Sequence, residues 1–317
     1  MILSIIIPVY NVAPYLKKCL DSIVYQIESI DASQIEIVLL NDGSTDNSLE
    51  ICKSFKDEFS FINLIDKSNS GLSDTRNQGL LYSKGHYIWF IDSDDWIAEG
   101  SLRVILNKLK VQNIDLLAIS SSNFINGEIK IRTSHTEDLD TFTYLNSDKF
   151  NVGAVFYIYN SSIFNQFKFK TGIVHEDEEF NNKVLYTYQN IAFLEYNTYI
   201  VNQREGSITR SINPKRAFDL LLVIDSLYKF MNQEVAKEHQ ILFYNRISLL
   251  FNNALNNTFD MNKSTLQLFK QELNKYPYIF QCLKKSSVKK YQIEGYLMAL
   301  FPKYSVLIYK ILKGNIK

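Results

Sequence analysis

The order of apolar runs in the first hundred residues limits the fold more than any other feature of this chain. Residues 3–7, 35–40, 61–65 and 87–91 are short runs rich in Ile, Val, Leu and aromatics. Continuous runs of this kind suit strands buried on both faces of a parallel sheet. Between them, residues 15–26, 46–58 and 73–83 carry apolar side chains at helical spacing, and the second of these follows Ser44-Thr45-Asp46, a capping cluster. A strand-helix-strand-helix order predicts an α/β fold: a mostly parallel, Rossmann-like, doubly wound sheet with right-handed crossovers. In such sheets ligands bind beyond the carboxyl ends of the strands.

Further along the pattern is mixed and then helical. Residues 102–110 and 176–188 read as helices, and residues 114–120, 191–194 and 199–202 as strands. Residues 124–132 contain Asn126-Gly127, a hairpin signal. From Pro214 the spacing is helical, with segments at 215–231 and 235–256. The expected division is near Ile212: a domain of residues 1–212, with halves 1–100 and 101–212, and a helical region of residues 213–317.

Composition excludes several classes. The chain has 317 residues, 46% hydrophobic and 21% charged, which is globular composition rather than disorder. Its net charge is zero, so no nucleic-acid partner is indicated. Cys19, Cys52 and Cys282 are far apart and form no Cys-x-x-Cys, which fits a reducing compartment and offers no zinc site. The first residues lack the charged segment of a signal peptide, and no apolar stretch reaches about 18 residues. A cytoplasmic protein is expected. Charge is uneven, however: residues 280–317 hold eight Lys against one acid, Glu294, a local +7 that leaves −7 for the rest. Residues 295–313 mix aromatics, aliphatics and Lys, the composition of a helix lying peripherally on anionic membrane. A helix pair packing on the body or forming a homo-oligomer interface has the same composition, and both readings stay open.

Chemistry should gather at the strand ends. The first strand delivers Pro8-Val9-Tyr10-Asn11, the second Asn41-Asp42-Gly43-Ser44-Thr45-Asp46 and the fourth Asp92-Ser93-Asp94-Asp95. Asp42 can accept from a base N–H or a ribose hydroxyl, and Tyr10 offers a stacking face; a turn leading to a helix cap is the plainer reading. Three carboxylates within four residues repel one another unless a cation is present. Their hard oxygens suit Mg²⁺ or Mn²⁺, which shares phosphate oxygens; a solvated acidic turn with Asp95 capping the next helix is the alternative. Asn69 to Gly79 opens the helix before that strand, where Arg76 serves either a nucleotide or a carboxylate. The glycine spacing matches neither a dinucleotide fingerprint nor a P-loop.

These four blocks, in this order, resemble the signature blocks of the family 2 glycosyltransferases of bacterial surface-polysaccharide type. The resemblance covers about the first 100 residues and implies a GT-A fold and an inverting transfer of one sugar. The implied donor is a nucleotide-diphosphate sugar, a UDP-hexose or UDP-N-acetylhexosamine. The implied acceptor is a glycan hydroxyl, lipid-linked or on a protein, in capsule, O-antigen, lipooligosaccharide or adhesin glycosylation. Residues 1–100 become the nucleotide-binding half and 101–212 the acceptor half. By similarity Pro8, Tyr10, Asn11 and Asp42 meet the nucleoside, with Arg76, Asp92 and Ser93 around the donor, and Asp94 with Asp92 ligates the cation. The family often has two acids where this chain has Asn41-Asp42.

Inversion needs a base for the acceptor proton. Glu176-Asp177, 83 residues past Asp94, resembles the family's Glu-Asp motif, so Asp177 is the expected base and Glu176 its neighbour or alternate. From the residues alone, four acids here would simply favour a helix N-terminus. Residues 203–210 resemble the segment that closes over the donor diphosphate, which makes Arg204 and Arg210 candidate phosphate contacts; a surface ion pair is the alternative for either. The Gln-x-x-Arg-Trp motif of processive synthases is not present, which favours single transfer. Two other readings compete: a non-catalytic nucleotide-sugar-binding subunit, and a sugar nucleotidyltransferase. The second normally has a Gly-rich loop after the first strand, which Pro8 to Pro14 does not offer.

Overall fold

Strands without a polar face must be covered on both sides, and every residue of the first strand, β1 (Leu3–Val9), is buried. After it come α1 (Ala13–Ile27), β2 (Ile35–Asp42), again buried throughout, α2 (Ser48–Glu58), β3 (Ile62–Lys67), α3 (Leu72–Tyr82) and β4 (Tyr87–Phe90). The computed structural model describes residues 1–111, 113–135, 139–203 and 213–314. The chain continues through β5 (Trp96–Ile97), α4 (Ser101–Val111), β6 (Leu116–Ile125), β7 (Glu128–Thr133), α5 (Thr141–Leu145), β8 (Tyr157–Asn160), α6 (Glu176–Thr187) and β9 (Ile191–Asn202). The remaining elements are helical: α7 (Lys215–Glu234), α8 (Gln240–Asn256), α9 (Lys263–Leu273), α10 (Tyr278–Lys285), α11 (Lys289–Leu300) and α12 (Ser305–Gly314).

The sheet runs β3-β2-β1-β4-β8-β6-β9-β5, with β7 paired to β6. Its first four strands are parallel, as the alternation predicts. The second half departs from the expected parallel order: β8 is antiparallel to both β4 and β6, and β5 is antiparallel to β9. The strand β8 has no counterpart among the sequence expectations. The two strands expected at 191–194 and 199–202 are one, β9, whose register against β6 shifts on either side of Ser120. That irregularity absorbs the polar stretch that looked like a break. The hairpin turns at Asn126 (φ 51°) and Gly127 (φ 88°), both left-handed, as a two-residue turn requires.

Aromatics fill this half. Phe90 meets Tyr159, Phe164 and Phe169 edge-on, with centroids 5.2 to 6.1 Å away. Gly79 lets α3 approach the sheet, since a Cβ there would stand 2.5 Å from Ile6 Cγ2. By internal contacts the chain divides into one unit of Met1–Gly172 and Val184–Ser207 and another of Ile173–Lys183 and Ile208–Lys317. No helix among the described residues is long and apolar enough to cross a membrane.

Candidate active site

Parallel pairing brings the carboxyl ends of β1 and β2 side by side, with Val9 opposite Asn41. The loops that follow lock together. The N–H groups of Asn11, Val12 and Ala13 donate in turn to Ser44 Oγ (3.1 Å), Ser48 Oγ (3.0 Å) and Asp46 Oδ2 (3.0 Å). Asn11 returns the favour, its Oδ1 accepting from the Thr45 N–H at 2.7 Å, and its backbone is left-handed at φ 52°. Asp46 Oδ1 also accepts from the Ser48 N–H at 3.0 Å, just ahead of α2, whose N-cap residue Asn47 makes no side-chain cap bond. Ser44, Asp46 and Ser48 thus satisfy three successive donors that the end of β1 would otherwise expose. Pro8 is buried in the strand, and Tyr10 stands half exposed at the edge.

Asp42 is held more tightly than its expected role requires. Its Oδ1 takes the Ser70 N–H at 2.8 Å and the Lys67 ammonium, and its Oδ2 takes the Gly71 N–H at 3.0 Å. Both charged side chains are nearly out of water. The register that sets Asp42 opposite Lys67 puts them together. The anion at the N-terminus of α3 is therefore supplied by the protein, and three of the roughly four acceptor sites of the carboxylate are occupied. Gly43 (φ 68°) permits this closure, because a Cβ there would sit 2.8 Å from the Asn69 nitrogen. Asn41 donates to Asp66 Oδ1 at 2.6 Å.

Beyond β4 the three aspartates have separate environments. Asp92 Oδ1 accepts from Arg76 at 3.0 Å, and Arg76 is buried beside the rings of Phe90 and Phe169. Arg76 thus pairs with a carboxylate of the cluster. Asp95 does not cap a helix, as β5 follows it. Instead its buried carboxylate accepts from the Tyr199 hydroxyl and the Asn202 N–H, both at 2.8 Å. Burial, and then the charges of Asp92 and Asp94, push its carboxyl up to about 8. Tyr199 Oη also accepts from the Asp92 N–H at 3.2 Å, tying both ends of the cluster to β9. Ser93 is buried between them. Under the cluster Cys19 Sγ lies 3.8 Å from the Asp92 carbonyl, and burial, with those carboxylates, pushes its thiol well up.

Among the described residues, no group of three or more His, Cys, Asp or Glu is placed to hold a metal. Mg²⁺ and Mn²⁺ need only one or two carboxylates when phosphate and water complete the shell. Asp94 and Asp92 fit that donor set, whereas Asp95 is committed to Tyr199 and Asn202.

Glu176 and Asp177 lie in the second unit, at the start of α6. The acids there differ in use. Glu178 pairs with Arg246 of α8, and Glu179 with Lys183 and Ser226. Glu176 is buried and Asp177 half buried. His175 (φ 70°) precedes them, and the Val174 N–H donates to Asp219 at 2.8 Å. Burial, and then Arg216, lower the His175 imidazole to about 4, so it is neutral at pH 7. Arg204 and Arg210 lie outside the described residues.

Sequence reasoning missed Lys67, Tyr199 and Asn202. The only local trace of Lys67 was a charge ending a strand; Tyr199 and Asn202 gave none, since their partner is more than 100 residues away.

Residues 4–172 match the family model described as Glycosyl transferase family 2. Glycosyltransferase GlyA of Streptococcus pneumoniae serotype 4 is 34% identical over 229 residues, 66% of this chain. The match spans only 31% of that relative's length. The Bacillus subtilis minor teichoic acid biosynthesis protein GgaB is 40% identical over 119 residues, 37% of this chain and 13% of its own. A crystal structure of S. aureus TarS in complex with UDP-GlcNAc superposes with a TM-score of 0.76 at 19% identity, covering 99% of this chain and 92% of that one. The architecture is the GT-A fold.

Proposed function

The chain belongs to glycosyl transferase family 2, and from that premise we propose that it moves one sugar from a UDP-hexose or UDP-N-acetylhexosamine to a hydroxyl of a bacterial surface glycan. The observation that carries this reading is the convergence of Tyr10, Asn11, Asp42 and the Asp92–Asp95 run on the carboxyl edge of one parallel sheet. The UDP-sugar bound to TarS supports the donor class, and the teichoic acid role of GgaB supports the acceptor class.

In this reading Tyr10, Pro8 and Asn11 line the nucleoside, and Asp42 holds the adjacent loop with one acceptor position left for the base. Arg76 orients Asp92, Ser93 lies against the donor, and Arg204 and Arg210 meet the diphosphate. Asp94 and Asp92 would hold Mn²⁺ or Mg²⁺, which would neutralise the departing diphosphate. Inversion is one displacement: the acceptor oxygen bonds to the anomeric carbon as the bond to the diphosphate breaks, and the hydroxyl proton passes to Asp177. Glu176 is the orienting neighbour or alternate base. Such a base contributes about 10²- to 10⁴-fold. The acceptor glycan is carried on a lipid or a protein, and the reaction belongs in the cytoplasm, where nucleotide sugars are made.

The test is hydrolysis and transfer across a panel of nucleotide sugars with Mn²⁺, with and without chelator. Asp94→Ala should lose activity, and Asp177→Asn should lose transfer while still binding donor. If no donor is bound or hydrolysed, the proposal fails. Activity that survives the chelator removes the metal.

A further inference from the structure

The last two helices are apolar on both faces, and only one face is covered. On α11 the inward side is set by Gly295, where a Cβ would come within 2.7 Å of Leu283 Cβ and the Lys284 nitrogen of α10. Glu294 and Met298 are buried with it. At helical spacing the opposite side therefore presents Ile293, Tyr296 and Leu300. On α12, Val306 and Tyr309 face inward, the Tyr309 hydroxyl 2.8 Å from Asn256 Oδ1. Tyr304, just before α12, and Leu307 and Ile311 on it then point outward. These six side chains are between 49 and 71% exposed. A run of large apolar side chains this dense is not ordinary protein surface.

Charge identifies what covers it. Lys289 and Lys290 open α11 and Lys303 sits in the link, all three exposed, while Lys310 and Lys313 of α12 reach the Thr258 carbonyl and Asn256. The sole acid from Phe280 onward, Glu294, is 2% exposed and accepts from Asn252 at 2.8 Å. The exposed charge of this segment is thus positive, and its one acid, 3.8 Å from Lys290, is buried. Two copies meeting through such a face would set lysines against lysines, whereas a lipid headgroup surface supplies the opposite sign. Apolar side chains framed by lysines match the depth profile of a bilayer interface, with Tyr at the headgroup level.

We propose that the outer face of α11 and α12 docks the protein on an anionic lipid bilayer. The docking does not depend on the transfer reaction, and its test is independent of activity. The full chain is sedimented with vesicles of phosphatidylcholine containing phosphatidylglycerol and with vesicles of phosphatidylcholine alone. Wild type should pellet with the anionic vesicles and be released by salt. Leu300→Ser/Leu307→Ser/Ile311→Ser, at exposed positions that leave the melting temperature unchanged, should lower partitioning at least about tenfold. Lys289→Glu/Lys303→Glu should abolish the preference for anionic lipid. Equal pelleting with both vesicles, or a triple variant that pellets like wild type, overturns the proposal. So does a lipid-free oligomer that the triple substitution dissociates, since the face would then be a contact between copies.

Discussion

Replacing Asp42 with Asn separates a structural clamp from a nucleotide contact. Asp42 and Lys67 have side chains 4% and 11% exposed, so solvent does little to screen them. The amide keeps the shape but loses the charge, and its NH₂ group turns a donor toward either Lys67 or a backbone N–H. Lys67 would keep the neutral acceptors Ser70 Oγ and the Ser68 carbonyl (3.4 Å), and its remaining carboxylate would be Asp74, 3.9 Å away and more exposed. Breaking a buried pair from one side costs about 3–5 kcal/mol. At an m-value near 3 kcal/mol/M this lowers the urea midpoint by roughly 1–2 M. Lys67→Met alone should destabilise through the carboxylate left behind. The double variant should be less destabilised than the sum of the two, with a coupling of about 1–3 kcal/mol. Urea titration followed by circular dichroism gives all four corners, and calorimetric titration with UDP gives the binding side. An Asp42→Asn protein within about 1 kcal/mol of wild type, yet weakened tenfold for UDP, would refute the clamp.

Three further outcomes follow from the packing. Tyr199→Phe removes the hydroxyl that serves Asp95 and the Asp92 N–H, and should cost about 1–3 kcal/mol in urea titration; no change would mean water replaces it freely. Gly79→Ala drives a methyl into Ile6 and Leu40 and should cost about 1–3 kcal/mol; a neutral result would show that α3 can lift from the sheet. His175 binds its proton less readily folded than unfolded, so its contribution to stability is present above about 6.5 and is lost as pH falls through about 4. His175→Asn, which tolerates the positive φ, should flatten that part of the stability profile, and a parallel pair of curves would contradict it.

Much of the first hundred residues was readable because the signals there are local. Unbroken Ile and Val runs read as covered strands. Of these, β1, β2 and β4 are buried throughout, while the edge strand β3 is covered only in part. The intervening helices follow their own apolar spacing without side-chain N-caps. The second half was less legible for a physical reason. β8 is four residues long and holds its place through pairing with β4 and β6, which no local pattern encodes. β9 looked like two strands because its polar centre meets an irregular register.

The same division runs through the site. The sequence alone determined that acids collect at strand ends, since parallel strands point their carboxyl ends to one edge and the polar residues follow the apolar runs directly. It also placed four acids at the start of α6. What each acid does was decided by tertiary structure. Asp42 met Lys67 through strand register, Asp95 met Tyr199 and Asn202 across more than a hundred residues, and Glu178 and Glu179 met partners on later helices. A carboxylate's charge state and use depend on burial and on which donors reach it, and those are set by chain segments far away in sequence.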